Sequence, residues 1–458
     1  MNPLDDTIIA ISTPPGWGGL GIIRLSGKDA LAIARRIFHQ RGEKKEPFRP
    51  RSPVFGEIID PDKGEPLDEA FLTFFAAPRS YTRENVVELS CHGSPVVLEE
   101  TVRLGVRAGA RLAGPGEFTL RAYMNGRLDI LQAEAVNDLI TAATLSQARI
   151  SARQLRGGLS RRVDDFRRKI VAAASLLEAA IEFPEEETGL TGGGVQDALR
   201  SAMAAVDALV STYELGRAMS KGITLAIVGR ANVGKSTLFN ALLDRARAII
   251  SPHPGTTRDY LREKLRIGDA VFQLTDMAGL EAAAHPVEKE GIRRGEAIAS
   301  SADGILFILD ASRPETAADL RLLKRFRGRQ AILVFNKSDL KKKIDRLACA
   351  NARSAAPWVE VSALKGTHVD RLKVLIGATF VPDRKAGEEV VLHQRQKLLL
   401  SEISEALNAG LGLLREGHSE ELCAEEVRRA LRLVGQLTGE VRADEVIHGI
   451  FSRFCVGK

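Results

Sequence analysis

Cysteine is scarce in this sequence, and long apolar runs are missing from it. None of the four cysteines, Cys91, Cys349, Cys423 and Cys455, stands in a C-x-x-C pair, which argues against a disulfide framework or a zinc site. No apolar run approaches the roughly 18 residues of a membrane-spanning helix. The first residues, MNPLDDTIIAISTPPG, lack the basic start and apolar core of a signal peptide. We therefore expect a soluble, cytoplasmic protein with reduced thiols.

The excess of one sign of charge is also small. The chain has 65 Lys and Arg against 59 Asp and Glu, a formal net charge of +6. That balance permits a polyanionic partner, but it fits a solvated surface with a slight basic excess equally well. The length of 458 residues suggests about three domains, and a hydrophobic content of 44% is enough for ordinary buried cores.

The pattern along the chain predicts a multidomain α/β protein in four blocks. Residues 1–118 contain short β-type runs with helices beside them, as in an α+β domain. Residues 119–220 and 382–458 have helical periodicity, whereas apolar strands alternate with helices over 221–381, as in a parallel sheet with crossover helices. Because domain termini often lie close together, the simplest packing joins the two helical blocks in one domain with the α/β block inserted. Two independent helical domains are the alternative.

A phosphate-binding loop is predicted at the start of the α/β block. The stretch GRANVGKST follows the apolar run ITLAIVG and fits G-x-x-x-x-G-K-[ST]. Its glycines let backbone N–H groups turn toward phosphate oxygens, and the following helix N-terminus adds positive potential. The lysine of the motif reaches the outer phosphates, and its serine is a Mg²⁺ ligand. The predicted contacts of this loop are Asn232, Val233, Gly234, Lys235, Ser236 and Thr237.

A guanine-reading segment follows. FNKSD places a carboxylate after an apolar strand, where it can accept hydrogen bonds from guanine N1–H and the 2-amino group. Adenine offers neither donor, so this pattern predicts GTP rather than ATP. The stretch VSAL stands where a loop would pack on the base. The predicted base contacts are Asn336, Lys337, Asp339, Ser362, Ala363 and Leu364.

Two further segments are expected to sense the γ-phosphate. SPHPGTTRD, residues 251–259, offers a threonine that could complete the Mg²⁺ shell when GTP is present, although GTT alone also fits a plain turn. In LTDMAGL, Leu280 stands where small signalling GTPases have the glutamine that orients the attacking water. A leucine cannot do this, so another group must place the water. The predicted contacts in these segments are Ser251, Thr256, Thr257, Asp276 and Gly279.

Taken together, these motifs resemble those of the bacterial tRNA-modification GTPase family called MnmE or TrmE. The segments TPPGWGGLGIIRLSG, VVELSCHGSPVV, PGEFTLRAYMNGRLDILQAEAV, EAAIEFPEEE and the terminal FCVGK extend the resemblance over nearly the whole chain. It implies a folate-binding N-terminal domain that dimerises, a helical domain and an inserted Ras-like G domain. It also implies a homodimer that works on tRNA with MnmG, a partner dependent on FAD and NADH. Together they would add an aminomethyl-type group to C5 of the wobble uridine, from 5-formyl- or methylene-tetrahydrofolate.

The resemblance also implies ligands in the nucleotide site. A K⁺ ion takes the place of an arginine finger, and a cation beside the β- and γ-phosphates can stabilise charge as arginine does. The matching K⁺ ligand positions are Asn232, Ser251, His253 and Thr256, while Ser236 and Thr257 match the Mg²⁺ ligands. Glu288 matches an acid that helps position the water, and Lys235, which reaches the outer phosphates, is the second expected catalytic residue of this site. Without the resemblance, Glu288 would be taken for a surface carboxylate.

The remaining implied positions concern folate and the chain's end. The folate-contacting positions of the family are matched by Arg24, Glu88, Arg127 and Lys458. Without the resemblance, these residues would be interpreted as ordinary charged residues at strand ends and in loops. Phe451 and Phe454 could dock the end, which would bring Cys455 near the one-carbon unit. That thiol is then either a nucleophile or proton-transfer group, or an inert packed side chain.

An alternative function shares every GTPase motif. A regulatory ribosome-assembly GTPase would bind rRNA and perform no one-carbon chemistry. The first 118 residues and FCVGK favour the tRNA-modifying role, because an assembly GTPase would typically carry an appended RNA-binding module instead.

Overall fold

The computed structural model describes residues 6–41, 48–182, 193–244, 262–276, 299–352, 356–381, 389–441, 444–452 and 454–458. The chain divides into two compact units. The first consists of Met1–Asn137, Ser151–Met203 and Glu402–Lys458, and the second consists of Asp138–Ile150 and Ala204–Ser401. Each unit therefore combines stretches that are distant in sequence. No helix in the described ranges is both long and apolar enough to span a bilayer.

A mixed sheet with two helices forms the N-terminal part of the first unit. Its elements are β1 Ile8–Ile11, β2 Gly18–Ser26, α1 Ala30–Ile37, β3 Phe38–Gln40, β4 Pro53–Ile59, β5 Pro66–Phe75, β6 Val86–Gly93, α2 Pro95–Arg107 and β7 Arg111–Leu112. Among the described residues the strand order is β3-β4-β5-β6-β2-β1-β7, and β1 pairs with β7 in parallel while the other neighbours are antiparallel. The expected α+β organisation is confirmed, and β3 and β7 are short strands that the sequence pattern did not indicate.

One face of this sheet carries the core. Side chains alternate along an antiparallel strand. One face of β2 and β6 therefore packs its apolar side chains against α1 and α2, and these side chains are Ile23, Leu25, Val87 and Leu89. The opposite face carries polar residues that belong to a candidate site. This alternation places Arg24 and Glu88, which are paired in register, side by side on the face away from that core.

Helices complete the first unit. The remaining helices that lie in it or extend from it are α3 Glu117–Met124, α4 Ile130–Ile140, α5 Leu145–Leu155, α6 Gly158–Glu182, α7 Gly193–Ser211, α13 Gln394–Arg415, α14 Glu420–Thr438 and α15 Asp444–Phe451. Helices α6 and α14 pack against each other although they come from the two predicted helical blocks. Each buries an apolar stripe, for example Phe166 and Ile170 on α6 and Val427 and Val434 on α14. The boundaries of the predicted domains stay predictions.

The second unit is built around a largely parallel sheet. Its elements are α8 Tyr213–Lys221, β8 Ile223–Val228, α9 Lys235–Asp244, β9 Arg262–Ile267, β10 Ala270–Asp276, β11 Gly304–Asp310, α10 Ala317–Arg325, β12 Ala331–Asn336, α11 Arg346–Ala352, β13 Trp358–Glu360 and α12 Val369–Phe380. The described strands lie in the order β13-β12-β11-β8-β10-β9, and only β9 is antiparallel to its neighbour. Strands β11 and β12 are almost wholly apolar and buried, as expected where helices cover both faces of a parallel sheet.

Candidate functional site

The loop between β8 and α9 lies tightly against its neighbours. A Cβ on Gly229 would stand 2.4 Å from the carbonyl oxygen of Ile308, and one on Gly234 would stand 2.4 Å from Asn336 Nδ2. Gly234 also has φ +94°, a conformation that glycine adopts without strain. Both glycines are therefore required for the loop to lie this close to β11 and β12. In this position the loop backbone curves around the start of α9.

Lys235 folds back over this loop. Its side chain is buried, and Nζ donates to the carbonyl oxygens of Gly229 at 2.6 Å and Arg230 at 2.8 Å. The ammonium is thus held at the mouth of the loop. Ser236 and Thr237 follow in the first turn of α9, where backbone N–H groups have no partner within the helix. An ammonium and a helix N-terminus at one place form a site suited to phosphate.

Asn336 joins two loops of the site. It is buried at the end of β12, its Nδ2 donates to the carbonyl oxygen of Val233 at 2.9 Å, and its Oδ1 accepts from the backbone N–H of Ala363 at 3.0 Å. The predicted asparagine therefore fastens the phosphate loop to the loop that follows β13. The Asn336 amide thus bonds to the protein backbone, and these bonds position the two loops that would lie on either side of a nucleotide.

Lys337 also bonds to the phosphate loop, and it pairs with Asp310, a residue that the motifs did not indicate. Its Nζ donates to the carbonyl oxygen of Asn232 at 2.8 Å and to Asp310 Oδ2 at 2.7 Å. Burial alone would raise the pKa of Asp310, but hydrogen bonds from Lys337 and Ser312 outweigh it and hold that pKa below its usual range. Asp310 thus stays ionised and keeps Lys337 directed at the phosphate loop. Its position at the end of the apolar run GILFILD was the available signal, since carboxyl ends of parallel strands carry ligand sites.

Asp339 is an ionised acceptor beside the loop after β13. A hydrogen bond from the Ser362 side chain is the main cause that lowers the pKa of Asp339. Ser362 is fully buried and exchanges backbone hydrogen bonds of 3.1 Å with Thr367, which closes the loop. Leu364 at its tip is exposed. A carboxylate fixed in this way can accept two hydrogen bonds from one edge of a base.

A second cluster lies on the outer face of the sheet in the first unit. Arg24 Nε and Nη2 donate to Glu88 Oε1 at 2.9 and 2.8 Å. The same guanidinium lies 5.5 Å from the ring centroid of Tyr81 and 5.7 Å from that of Phe118, within the range of cation–π attraction. Among the described residues both of these bonds go to Oε1 and none to Oε2, so the carboxylate has its other oxygen for a further donor.

Tyr81 lies between two arginines. Arg127 stands 4.7 Å from the centre of its ring and donates through Nη1 to its carbonyl oxygen at 2.7 Å. The Tyr81 hydroxyl is 2.9 Å from Thr119 Oγ1 on α3. The structure therefore brings Arg24, Glu88 and Arg127 to one place through an aromatic side chain that the motifs did not single out.

The end of the chain reaches the same cluster. The backbone N–H of Phe118 donates to the carbonyl oxygen of Lys458 at 3.1 Å, and the Ser12 hydroxyl donates to that of Gly457 at 3.1 Å. Gly116 N–H is bonded to the Cys455 carbonyl oxygen at 3.4 Å. The Phe118 ring faces Arg24, so the main chain of Lys458 is bonded to a residue that contacts the cluster.

Comparison with known proteins decides the family. The model of the MnmE helical domain matches residues 130–455, and that of the GTP-binding protein TrmE N-terminus matches residues 7–127. The tRNA modification GTPase MnmE of Koribacter versatilis is 40% identical over 99% of this chain and 100% of that protein. The protein of the same name from Geobacter sulfurreducens is 40% identical over the same shares of both chains. The chain belongs to the MnmE family of tRNA modification GTPases.

Membership of the MnmE family confirms the resemblance and the predicted combination of an N-terminal domain, a helical domain and a GTPase. Among solved structures, that of a point variant of Aquifex aeolicus Era bound to GDP.AlF4- is 26% identical, covers 40% of this chain and 66% of its own, and has a TM-score of 0.28. A likeness of that size does not bear on function.

Several predicted site residues of this MnmE-family chain lie outside the described residues. They are Ser251, His253, Thr256, Thr257, Gly279, Glu288 and the side chain of Asp276. Their roles stay predictions. Within the described ranges, the phosphate-loop residues and the base-reading residues are brought together by Asn336 and Lys337.

Cys91 stands next to His92 near the end of β6, a pair that invites a catalytic interpretation. Its thiol is buried, and desolvation raises its pKa to about 12. Because the thiolate is the reactive form, such a thiol is inert near neutral pH. The neighbouring His92 is exposed and pairs with Asp68, Nδ1 to Oδ1 at 2.7 Å. These observations favour packing at a strand end over catalysis by Cys91.

Proposed function

We propose that this chain is the GTP-hydrolysing subunit of a complex that adds an aminomethyl-type group to C5 of the wobble uridine, U34, of tRNA. The one-carbon unit comes from a tetrahydrofolate held in the first unit, and GTP is hydrolysed in the second. The observation that carries the proposal is the cluster of Arg24, Glu88, Tyr81 and Arg127 with the docked chain end. A GTPase without one-carbon chemistry has no use for it.

The folate assignment is supported by the donor set of this cluster. The second oxygen of the Glu88 carboxylate suits the amide-and-amine edge of a pterin, and the Tyr81 ring holds Arg24 and Arg127 beside it. Arg127 and Lys458 provide positive charge for the glutamate tail of the folate. When bound, the folate supplies the one-carbon unit; the residues named here bind it and orient it.

Mg²⁺ and K⁺ are proposed for the nucleotide site. The Ser236 hydroxyl in the first turn of α9 is a hard oxygen donor of the type that Mg²⁺ prefers, and Thr257 would complete its shell. The carbonyl of Asn232 already accepts from Lys337 Nζ, which leaves its exposed side-chain amide for K⁺. Bound K⁺ would supply positive charge at the phosphates, and Glu288 would position the water in place of the missing glutamine.

The partners proposed are a second copy of the chain, the FAD-dependent protein MnmG and tRNA. An apolar pair on the outer sheet face supports dimerisation through the N-terminal domain: Phe55 and Phe71 are 39% and 48% exposed, and their ring centres lie 5.3 Å apart. Exposed aromatic pairs of this kind are common at interfaces between proteins.

Cys455 is proposed as the nucleophile or proton-transfer group of the tRNA modification. Its exposed side chain supports chemistry rather than packing, and its carbonyl is fixed to Gly116 next to the folate cluster. A thiolate at this point can add to C6 of a pyrimidine, which makes C5 nucleophilic.

The test of this function is nucleoside analysis of bulk tRNA by mass spectrometry. Cells that lack the chain are expected to contain wobble uridine without the C5 substituent, and the wild-type gene restores it. The Cys455→Ser variant is expected to restore GTP hydrolysis but little of the modification. Unchanged wobble uridine in the deletion strain, together with a defect in ribosome assembly, would support the alternative of an rRNA-binding GTPase.

Base selection is tested at Asp339. The Asp339→Asn variant replaces one acceptor by a donor at the guanine edge, so GTP affinity is expected to fall by about a hundredfold or more while xanthosine triphosphate binds better. Competition binding against a fluorescent GDP analogue measures both. Asp345→Asn is the matched control, because in the described part of the chain the Asp345 side chain accepts from the N–H groups of Leu347 and Ala348, and asparagine caps a helix equally well. Equal competition by ATP and GTP in the unmodified protein would refute the role of Asp339.

A further inference from the structure

A cavity of about 710 Å³ lies at the edge of the sheet in the second unit, and none of the predicted nucleotide contacts in the described ranges is among its lining residues. It is bounded by β13 and α12. Trp358, Val374 and Ala378 form apolar parts of its wall, and Arg346, His368 and Arg371 stand among its polar lining. Trp358 is 50% exposed and Val374 is 72% exposed. The chain has only two tryptophans, and this one presents its ring in a concave, solvent-accessible place.

The indole ring of Trp358 is fixed by its neighbours. Arg346 lies 5.3 Å from its ring centre, and Phe335 of β12 packs against it edge-on, with ring centres 6.0 Å apart. A fixed aromatic surface loses little conformational entropy when a second ring stacks on it. The ring is thus a prepared platform rather than a loose surface side chain.

Charged side chains of both signs surround this platform, with a small positive excess. Glu360 accepts from Lys342 Nζ at 2.5 Å and from Arg346 Nη1 at 2.8 Å, so one carboxylate is shared by two cations and this group keeps a net charge of +1. Arg371 and Asp370 line the cavity on the α12 side and offset each other in charge, so the excess of one positive charge comes from the Lys342–Arg346–Glu360 group. An occupant that carries negative charge beside a flat ring is therefore complementary to the cavity.

An added peptide strand fits this edge less well. Pro357 and Val361 bond to β12, so by alternation the main-chain groups of Trp358 and Glu360 point to the open side. Strand β13 has three residues, however, and the Glu360 carbonyl lies 3.2 Å from His368 Nδ1. Little free main chain remains to pair with an extended segment.

We propose that this cavity, defined by Trp358, Arg346, Arg371 and Val374, binds an unpaired base of RNA. The base stacks on Trp358, and the flanking phosphates lie against Arg371 and the Lys342–Arg346 pair. Stacking on an aromatic ring beside basic side chains is the usual means of holding single-stranded RNA. Only the choice of RNA as the anion rests on the proposed role in tRNA modification; the cavity and its charges do not.

The experiment uses the full-length protein with saturating GDP, so that the nucleotide site is filled. Trp17→Phe leaves Trp358 as the single fluorophore, and Trp358→Phe leaves Trp17, which is 89% exposed. An RNA hairpin with an unpaired anticodon-type loop is expected to quench the emission of Trp358 and not that of Trp17. A blunt RNA duplex of the same length, which offers no unpaired base, should quench neither.

Affinity variants provide the second measurement. Trp358→Ala is expected to bind the hairpin about tenfold more weakly, and Arg371→Glu to bind it more weakly with a reduced dependence on salt. Arg266→Glu is the charge-matched control, because Arg266 is exposed on β9 at the opposite edge of the sheet. Thermal unfolding and GTP turnover, expected to be unchanged in all three, exclude misfolding.

Several outcomes would overturn the proposal. They are equal quenching of both tryptophans, quenching by the duplex as strong as by the hairpin, and unchanged affinity in Trp358→Ala and Arg371→Glu. Any of these leaves the cavity as a surface for a protein partner. Failure of the proposed function is seen separately, as missing GTP turnover or unchanged wobble uridine, and neither is measured by tryptophan quenching.

Discussion

Replacement of Lys235 by alanine is expected to reduce GTP turnover by roughly 10²- to 10³-fold, the loss usual when a charge-stabilising donor is removed. The Lys235 ammonium is held at the mouth of the phosphate loop by the carbonyl oxygens of Gly229 and Arg230. It therefore stands ready to meet negative charge without reorganisation. Charge increases on the phosphate oxygens during hydrolysis, so the loss falls mainly on the rate.

Single-turnover hydrolysis and binding of a fluorescent GDP analogue separate the rate from the affinity. Lys324→Ala is the matched control, since Lys324 is an exposed lysine near the end of α10. A thermal unfolding curve shows whether the loop carbonyls, which lose their shared donor, loosen the fold. Turnover of Lys235→Ala equal to that of Lys324→Ala would contradict the role assigned to this ammonium.

The sequence was sufficient to predict the phosphate loop because its parts are local. The nine residues GRANVGKST contain both glycines, the lysine and the start of α9. The guanine-reading residues follow a strand whose burial is visible as an apolar run. Asp310 could have been predicted in the same way, because it is the last residue of the neighbouring strand β11. Its carboxylate bonds to Lys337 at the carboxyl edge of the sheet.

The cluster of Arg24, Glu88, Tyr81 and Arg127 could not be predicted without the fold. Arg24 and Glu88 meet because β2 and β6 pair in a register that no motif states. Tyr81 and Arg127 are 46 positions apart, and only the placement of α3 brings them together. Strands β3 and β9 were also not predicted, because neither shows a recognisable strand pattern in the sequence. β9, REKLRI, carries charges on an edge, and β3 has three residues, too few for a periodic pattern.

Gly457 provides the sharpest test of the docked chain end. Its φ is +92°, and a Cβ there would stand 2.0 Å from the carbonyl oxygen of Ile11. The strained φ alone costs an alanine about 1–2 kcal/mol, and the contact with Ile11 is with backbone, which cannot turn aside. The docking bonds described above, from Ser12, Gly116 and Phe118, each contribute about 1 kcal/mol. Gly457→Ala is therefore expected to release the end of the chain.

Release of the end is expected to lower the affinity for 5-formyl-tetrahydrofolate by about tenfold or more, because one charged hydrogen bond is worth about 1.5–3 kcal/mol. Lys458 and Cys455, which are proposed to act beside the Arg24–Glu88 cluster, would be displaced together, so tRNA modification should fall as well. GTP turnover should remain, since the nucleotide residues lie in the other unit. Isothermal titration measures the folate affinity, and digestion by carboxypeptidase reports whether the end is free.

Gly449→Ala is the matched control for Gly457→Ala. Gly449 lies in α15 with open space where a Cβ would stand, and its φ is not positive. Alanine at that position favours the helix, so folate affinity and resistance to carboxypeptidase should be retained. If Gly457→Ala frees the end and folate still binds with its original affinity, Lys458 has no part in the site. If GTP turnover falls along with folate binding, the chain end supports the protein as a whole, and the assignment of Cys455 to chemistry loses its main structural argument.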